Sequence, residues 1–295
     1  MTFILPNLSH ATFYEKHDDL ASFIHQHNRT LTSLSLPNLD EDYLKKVQEA
    51  MVGCKSLQSL QLSLHLKNCR QWMSLYEQLW SRVKFLSLSD SWFSNDDMDD
   101  NLDTNGTTHV PASDGEKALL TARVGPSNVR TLLINCHESS RLVHQEYLWL
   151  VTQCQELIHL NWSMYGVDEC PVRLLAQEIR SGRCRWGNIE SLRFCNQKQN
   201  CQDLAVLIDT MPQLTALDLS DGSSLDKDFW GLMQRSTRLL SMLTVLQLKG
   251  HSRFLEESVH DLMCTMPNLE EFSAVWITDA TVLGDGRPWI CTKLR

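Results

Sequence analysis

One short phrase, apolar-x-x-apolar-x-apolar, recurs ten times along the 295 residues of this chain. Its copies are Leu5–His10, Leu31–Leu36, Leu57–Leu62, Val83–Leu88, Val129–Ile134, Leu157–Trp162, Ile189–Phe194, Leu214–Leu219, Leu243–Leu248 and Leu269–Ala274. The first and last are degenerate at the final place. Successive starts lie 26, 26, 26, 46, 28, 32, 25, 29 and 26 residues apart. A repeat of this length is one supersecondary unit that cannot bury its own apolar face, so the units must stack. The chain is therefore expected to form one elongated domain over residues 1–295 rather than two globular ones.

The end of each phrase alternates, as in Leu60-Gln61-Leu62, which places one set of side chains inward and the other outward on a strand. Helical patterns follow. Asp40 to Met51 is the clearest, with Asp40 as N-cap, Leu44, Val47 and Met51 on one face, and Gly53 as the expected stop. Similar stripes are Leu20, Phe23, Ile24 and His27; Trp72, Leu75 and Leu79; Leu204, Leu207 and Ile208; and Leu255, Val259 and Leu262. Strand, helix and parallel strand make a crossover that should be right-handed. The stacked product is an α/β solenoid with a parallel concave sheet and convex helices. Three places before seven of the phrases, and before Leu294, stands an apolar residue: Cys54, Trp80, Cys154, Trp186, Met211, Leu240, Met266 and Cys291. That slot reads as a buried column.

The net charge of −9 argues against non-specific nucleic-acid binding, which needs a basic surface, and gives no support to an anionic membrane. No run of 18 apolar residues is present. The N-terminal residues lack the basic and apolar regions of a secretory signal. The ten cysteines contain no C-x-x-C pair, and three occupy the apolar slot. They read as structural thiols of a reducing compartment, cytoplasmic or nuclear. No cofactor or metal motif is present, nor a phosphate loop, nucleophile elbow or H-E-x-x-H, so the chain is not expected to be an enzyme.

The 46-residue step holds an insertion, about 94–127, with Asp96, Asp97, Asp99, Asp100 and Asp103 and few apolar residues. It is expected to be disordered. Asn101, Asp103, Asn105 and Gly106 match the start of an EF-hand loop, but the twelfth position is Ala112 where a bidentate Glu is needed. Both ends of the chain fall mid-array: Leu5 already belongs to a phrase, and Leu294 stands where an eleventh should open. A segment of a longer protein is the expectation, because solenoids need polar caps.

The third, fifth and seventh places of each phrase should face outward on the concave sheet. In the first half they are small and bland. In the second half they include His159, Asn161, Arg193, Asp218, Gln247, Lys249 and Glu271. Arg193 is the best single anchor, because interface hot spots favour Trp, Tyr and Arg. Trp92 and Phe93, at the rim before the insertion, are a second candidate contact or a pair that packs beneath it. Trp72, Trp80, Trp149, Trp186 and Trp230 fall at helical or slot places and are expected in the core.

The phrase L-x-x-L-x-L, the period near 26 and the preceding cysteine (Gly53-Cys54-Lys55-Ser56-Leu57; Gln153-Cys154-Gln155-Glu156-Leu157) resemble the cysteine-containing, ribonuclease-inhibitor-like class of leucine-rich repeats. The segments Met211-Pro212-Gln213-Leu214, Met266-Pro267-Asn268-Leu269 and Gly286-Arg287-Pro288-Trp289-Ile290-Cys291 are similar to those of fungal F-box/leucine-rich-repeat-like proteins. The resemblance implies repeats that capture a protein substrate on the concave face for a ubiquitin ligase. A ligase adaptor would be a partner only through an F-box outside these residues. A stand-alone scaffold or inhibitor is the alternative. A third reading, a regulator of a small GTPase, would need Arg193 or Asn161 to act at the nucleotide.

Overall fold

The computed structural model describes residues 7–15, 17–39, 41–64, 78–79, 81–90, 127–136, 141–164, 171–195, 201–220, 227–248, 260–261, 263–274 and 290–294. Ten strands form a single parallel sheet in strict chain order: β1 (His10–Thr12), β2 (Ser33–Leu39), β3 (Ser59–Leu64), β4 (Phe85–Asp90), β5 (Thr131–Cys136), β6 (His159–Met164), β7 (Ser191–Cys195), β8 (Ala216–Asp218), β9 (Val245–Leu248) and β10 (Glu271–Ala274). The described helices are α1 (Leu20–Gln26), α2 (Glu41–Gly53), α3 (Arg141–Gln153), α4 (Pro171–Arg180), α5 (Cys201–Thr210), α6 (Lys227–Arg235) and α7 (Thr237–Met242).

The phrase sets the register. Each fourth place pairs with the next fourth place, as in Leu34↔Leu60, Leu60↔Leu86 and Leu160↔Leu192. The first, fourth and sixth places of the eight phrases that start between Leu31 and Leu243 are all buried, from Leu31, Leu34 and Leu36 to Leu243, Leu246 and Leu248. An all-parallel sheet is usually covered on both faces and reads as continuous apolar runs. Here the alternation survives because only one face meets the core. At about 1.5–3 kcal/mol for each fully buried Leu or Val, this column is the main source of stability.

A backbone device repeats along the sheet. The carbonyl of each second-place residue accepts two N–H groups of the next repeat, those of its second and third places. Thr32 O receives Gln58 N at 2.8 Å and Ser59 N at 3.0 Å, and Ile158 O receives Glu190 N at 2.9 Å and Ser191 N at 3.1 Å. The same pair links all ten strands. Where the second place is Thr, its hydroxyl adds a third bond to the same carbonyl, as from Thr215 Oγ1 to Glu190 O at 3.2 Å. At some repeats the polar residue just before the phrase stitches the turns in a similar way: Ser56 Oγ donates to Arg29 O at 3.2 Å, and Asn268 Nδ2 to Ser241 O at 2.7 Å.

This ladder corrects the phase of the first repeat. Ser9 O receives Thr32 N at 2.8 Å and Ser33 N at 3.0 Å, so Ser9 is a second-place residue and the phrase starts at Leu8, not Leu5. His10 and Thr12 then face outward, opposite Ser33 and Ser35, in place of the expected Asn7, Ser9 and Ala11. The inward set is Leu8, Ala11 and Phe13, all partly buried against the core. Leu5 to Leu8 imitates the spacing, and the degenerate last place concealed the better match three residues on.

The slot column is present. Cys54, Cys154, Trp186, Met211, Leu240, Met266 and Cys291 are buried, and Trp80 lies outside the described side chains. The helices close the core as their stripes require. Val172, Leu175 and Ala176 of α4 and Leu204, Leu207 and Ile208 of α5 are buried. In α1, Leu20, Ile24 and the C-terminal His27 are buried, and Phe23 meets Phe13 edge-on at 5.2 Å. Gly53 does not stop α2 by a left-handed turn: it is the last helical residue, and Cys54 N bonds Met51 O at 3.0 Å to close the end. Among the described glycines only Gly182 has a positive φ, 73°. Trp149 and Trp186 are buried as expected, together with Trp162. Leu294 N bonds Cys291 O at 3.5 Å, the bond that Leu57 N makes to Cys54 O at 3.2 Å, so Leu294 sits as the first place of an eleventh phrase. The insertion at 94–127, with its calcium-type pattern, lies outside the described residues except for Ser127. So do Asp40 and the side chains of Leu44, Trp72, Leu75, Trp230, Leu255, Val259 and Leu262.

Candidate functional site

The open face of the sheet is built from the third, fifth and seventh places. Register alone brings the fifth places into one row: Asn161 lies opposite Arg193, Arg193 opposite Asp218, and Asp218 opposite Gln247. Neighbouring strands stand about 4.8 Å apart, so four different polar side chains share a lattice roughly 15 Å long. His159 and Glu271 occupy third places, opposite Ser191 and Val245. Of the expected residues, Lys249, Trp92 and Phe93 lie outside the described set.

The row is tied together by its own side chains. Arg193 Nε is 3.0 Å from Asp218 Oδ2. The Arg193 side chain keeps 48% of its surface exposed and Asp218 only 13%, so the guanidinium stays reachable while its carboxylate partner is held. Asp218 Oδ1 accepts the Ser220 N–H at 2.9 Å, which fixes the carboxylate on its strand end. Gln247 Nε2 donates to Glu271 Oε1 at 2.7 Å. Ser163 Oγ donates to Asn161 Oδ1 at 3.2 Å. Sequence reading placed these residues on one surface. It missed the pairing, because the partners are 25 and 24 residues apart and only register makes them neighbours. It also counted Ser163 and Ser220 as outward residues, whereas both are buried at the strand ends.

The first half of the face carries Ser33, Ser35, Ser59, Gln61 and Ser87, with Phe85 and Leu133 half-buried among them. Ser63 and Ser89 share a hydroxyl contact of 3.2 Å. This part offers small hydroxyls and no charge.

Cys54, Cys154, Cys184, Cys264 and Cys291 are free thiols, and all but Cys264 are buried. Burial pushes Cys54 up to about 11, the nearby Arg82 charge offsetting part of the rise. It pushes Cys154 up to about 12, with Ser127 a weak opposing donor. Cys184 and Cys291 are raised for the same reason. Thiols so raised stay protonated and are poor nucleophiles and poor metal ligands. Among the described residues no group of three or more His, Cys, Asp or Glu comes together as a metal site, and no helix is long and apolar enough to cross a membrane.

The ten-stranded parallel sheet, in register phrase by phrase with helices on its buried side, is an α/β leucine-rich repeat solenoid. No protein-family model matches the chain, and no curated protein matches it. Among solved structures, an internalin from Listeria monocytogenes is similar at 13% identity and a TM-score of 0.38, with 92% of this chain and 81% of that one covered.

Proposed function

We propose that this solenoid is a protein-binding module whose contact surface is the open face of β6 to β10. The observation that carries this is the row Asn161, Arg193, Asp218 and Gln247, which presents donors and acceptors at fixed strand spacing and is already ordered by its own bonds. A surface ordered before contact loses less side-chain entropy on binding. Arg193 is the central anchor, with His159 on the adjacent strand β6, Glu271 on β10, and Lys249 as a further contact residue. Trp92 and Phe93 are the proposed second contact. In its finer form the module is the substrate-recognition part of an F-box-type ubiquitin ligase receptor. The repeat class supports that reading through its resemblance.

The test is affinity capture with the chain and its Arg193→Ala, Asp218→Ala and double variants, each checked for an unchanged melting temperature. Partners lost from both single variants, with coupled rather than additive losses in the double, support the site. A set of partners that all three variants retain removes the open face as the contact. The finer reading predicts that the full-length transcript encodes an F-box and that its product co-purifies with the ligase adaptor. A complete transcript without one overturns it.

A further inference from the structure

We propose a second binding surface, on the edge of the sheet where the chain enters β2 to β5, that takes an acidic polypeptide segment. Four exposed cations converge there. Arg29 and Lys55 lie two places before the second and third phrases, and Lys84 and Arg130 at the second places of the fourth and fifth. The ladder makes them neighbours: Ser56 Oγ reaches Arg29 O at 3.2 Å, and Arg130 N bonds Lys84 O at 2.8 Å. Arg82 stands among them, its guanidinium donating to Val52 O at 2.7 Å and Cys54 O at 3.2 Å. The turn residues 28–32, 54–58, 81–84 and 127–130 contain no Asp or Glu, and among the described residues no carboxylate pairs with Arg29, Lys55, Lys84 or Arg130. In a chain of net charge −9 this is an uncompensated basic strip.

Its length and its limit choose the occupant. Three strand spacings of about 4.8 Å give roughly 15 Å, which an extended segment of about five residues covers. Beyond it the sign reverses. The equivalent turns 154–158, 186–190, 211–215, 240–244 and 266–270 carry Glu156, Glu190 and Glu270 and no Lys or Arg; Lys293 of the last turn lies 4.0 Å from Glu270, so Glu156 and Glu190 are the open carboxylates. A nucleic acid continues as a polyanion and would run onto these carboxylates. It would also lack stacking platforms, since residues 28–32, 54–58, 81–84 and 127–130 hold no aromatic side chain. A peptide whose acidic run is followed by basic residues fits the edge in order.

The experiment uses the whole chain and three fluorescent probes: a peptide of five glutamates followed by five lysines, a peptide of the same composition alternating the two, and a ten-nucleotide oligothymidine. The block peptide should bind best, and its affinity should fall as salt is raised through the screening range. Lys84→Glu with Arg130→Glu should weaken it by roughly tenfold or more, and the milder Lys84→Gln with Arg130→Gln by less. Arg193→Ala, on the open face, should leave it unchanged, which separates failure of this surface from failure of the first. Equal binding of the alternating peptide, tighter binding of the oligonucleotide, or unchanged binding by folded Lys84 and Arg130 variants would each overturn the proposal.

Discussion

Cys54, Cys154 and Cys291 owe their place to size and polarity rather than to reactivity. Each fills the slot before a phrase, and Cys54 Sγ donates to Ala50 O at 3.4 Å. Their pKa values have a consequence for stability. The folded thiols of Cys54 and Cys154 titrate at about 11 and about 12, against 9.0 when unperturbed. Between those values the unfolded chain has lost protons that the folded chain keeps, so the folded state binds more protons and stability falls as pH rises. The full contribution is present below about pH 9 and drains away from there to about pH 12. Urea midpoints should therefore drop across this window, and Cys54→Ala with Cys154→Ala should flatten the drop even as it lowers the starting stability. Native protein near neutral pH should resist alkylation at Cys54, Cys154, Cys184 and Cys291 and react at all four in denaturant. Arg82 shows the opposite use of a charge. It spans two repeats to bond the carbonyls of Val52 and Cys54 at the end of α2. Arg82→Ala should cost about 1–2 kcal/mol in a urea melt, because Val52 O loses the Arg82 donor and Cys54 O is left with the Leu57 N–H alone.

At the scale of one element, the ends of helices decide how a repeat turns back into the sheet. α4 ends in a Schellman motif. Gly182 N bonds Ile179 O at 2.9 Å and Arg183 N bonds Glu178 O at 3.0 Å. The positive φ of Gly182 makes this possible, and nothing lies within 4 Å of where a Cβ would stand. Gly182→Ala should therefore cost about 1–2 kcal/mol through backbone conformation alone, with no clash. Gly53→Ala should be nearly neutral or stabilising, because α2 is helical there and the nearest side-chain atom, Asn28 Nδ2, is 3.7 Å from the new Cβ. The two glycines look alike in sequence. Only the backbone angle tells them apart. Between α4 and α5 the Arg180–Asp203 pair, 2.9 Å, places a carboxylate in the first turn of α5, where the helix dipole favours it. With the Arg180 side chain 49% exposed, Arg180→Ala should lose less than about 1 kcal/mol.

The whole molecule is a one-dimensional array, and its energetics follow from neighbour counts. β1 and β10 each pair on one side within the sheet, whereas β2 to β9 pair on both. In such arrays stability is close to a sum of repeat and interface contributions. Hydrogen exchange should be slowest at the second- and third-place amides of β3 to β7 and faster at Thr32, whose acceptor Ser9 O precedes β1, and at Glu270, which itself precedes β10. Leu160→Ala, in the middle, should cost about 2–5 kcal/mol by leaving a cavity between two packed neighbours. Uniform protection along the sheet would show that the array unfolds as one cooperative unit rather than from its ends.

The period of the phrase, its alternation and the apolar slot were enough to determine a parallel solenoid, the inward residues of nearly every strand and the row of polar residues on the open face. Those signals are local: side-chain direction has period two on a strand, and stacking forces every repeat to bury the same places. What escaped the sequence depended on relations between repeats. The phase of the first copy was settled by Ser9 O, a bond to the next repeat. The pairing of Arg193 with Asp218 and of Gln247 with Glu271 arose from register across strands. The basic strip of Arg29, Lys55, Lys84 and Arg130 combines residues from different places of four phrases, so no single repeat displays it. Tertiary structure decided these because stacking brings into contact residues about 25 positions apart, and a pattern within one period carries no record of what its neighbour presents.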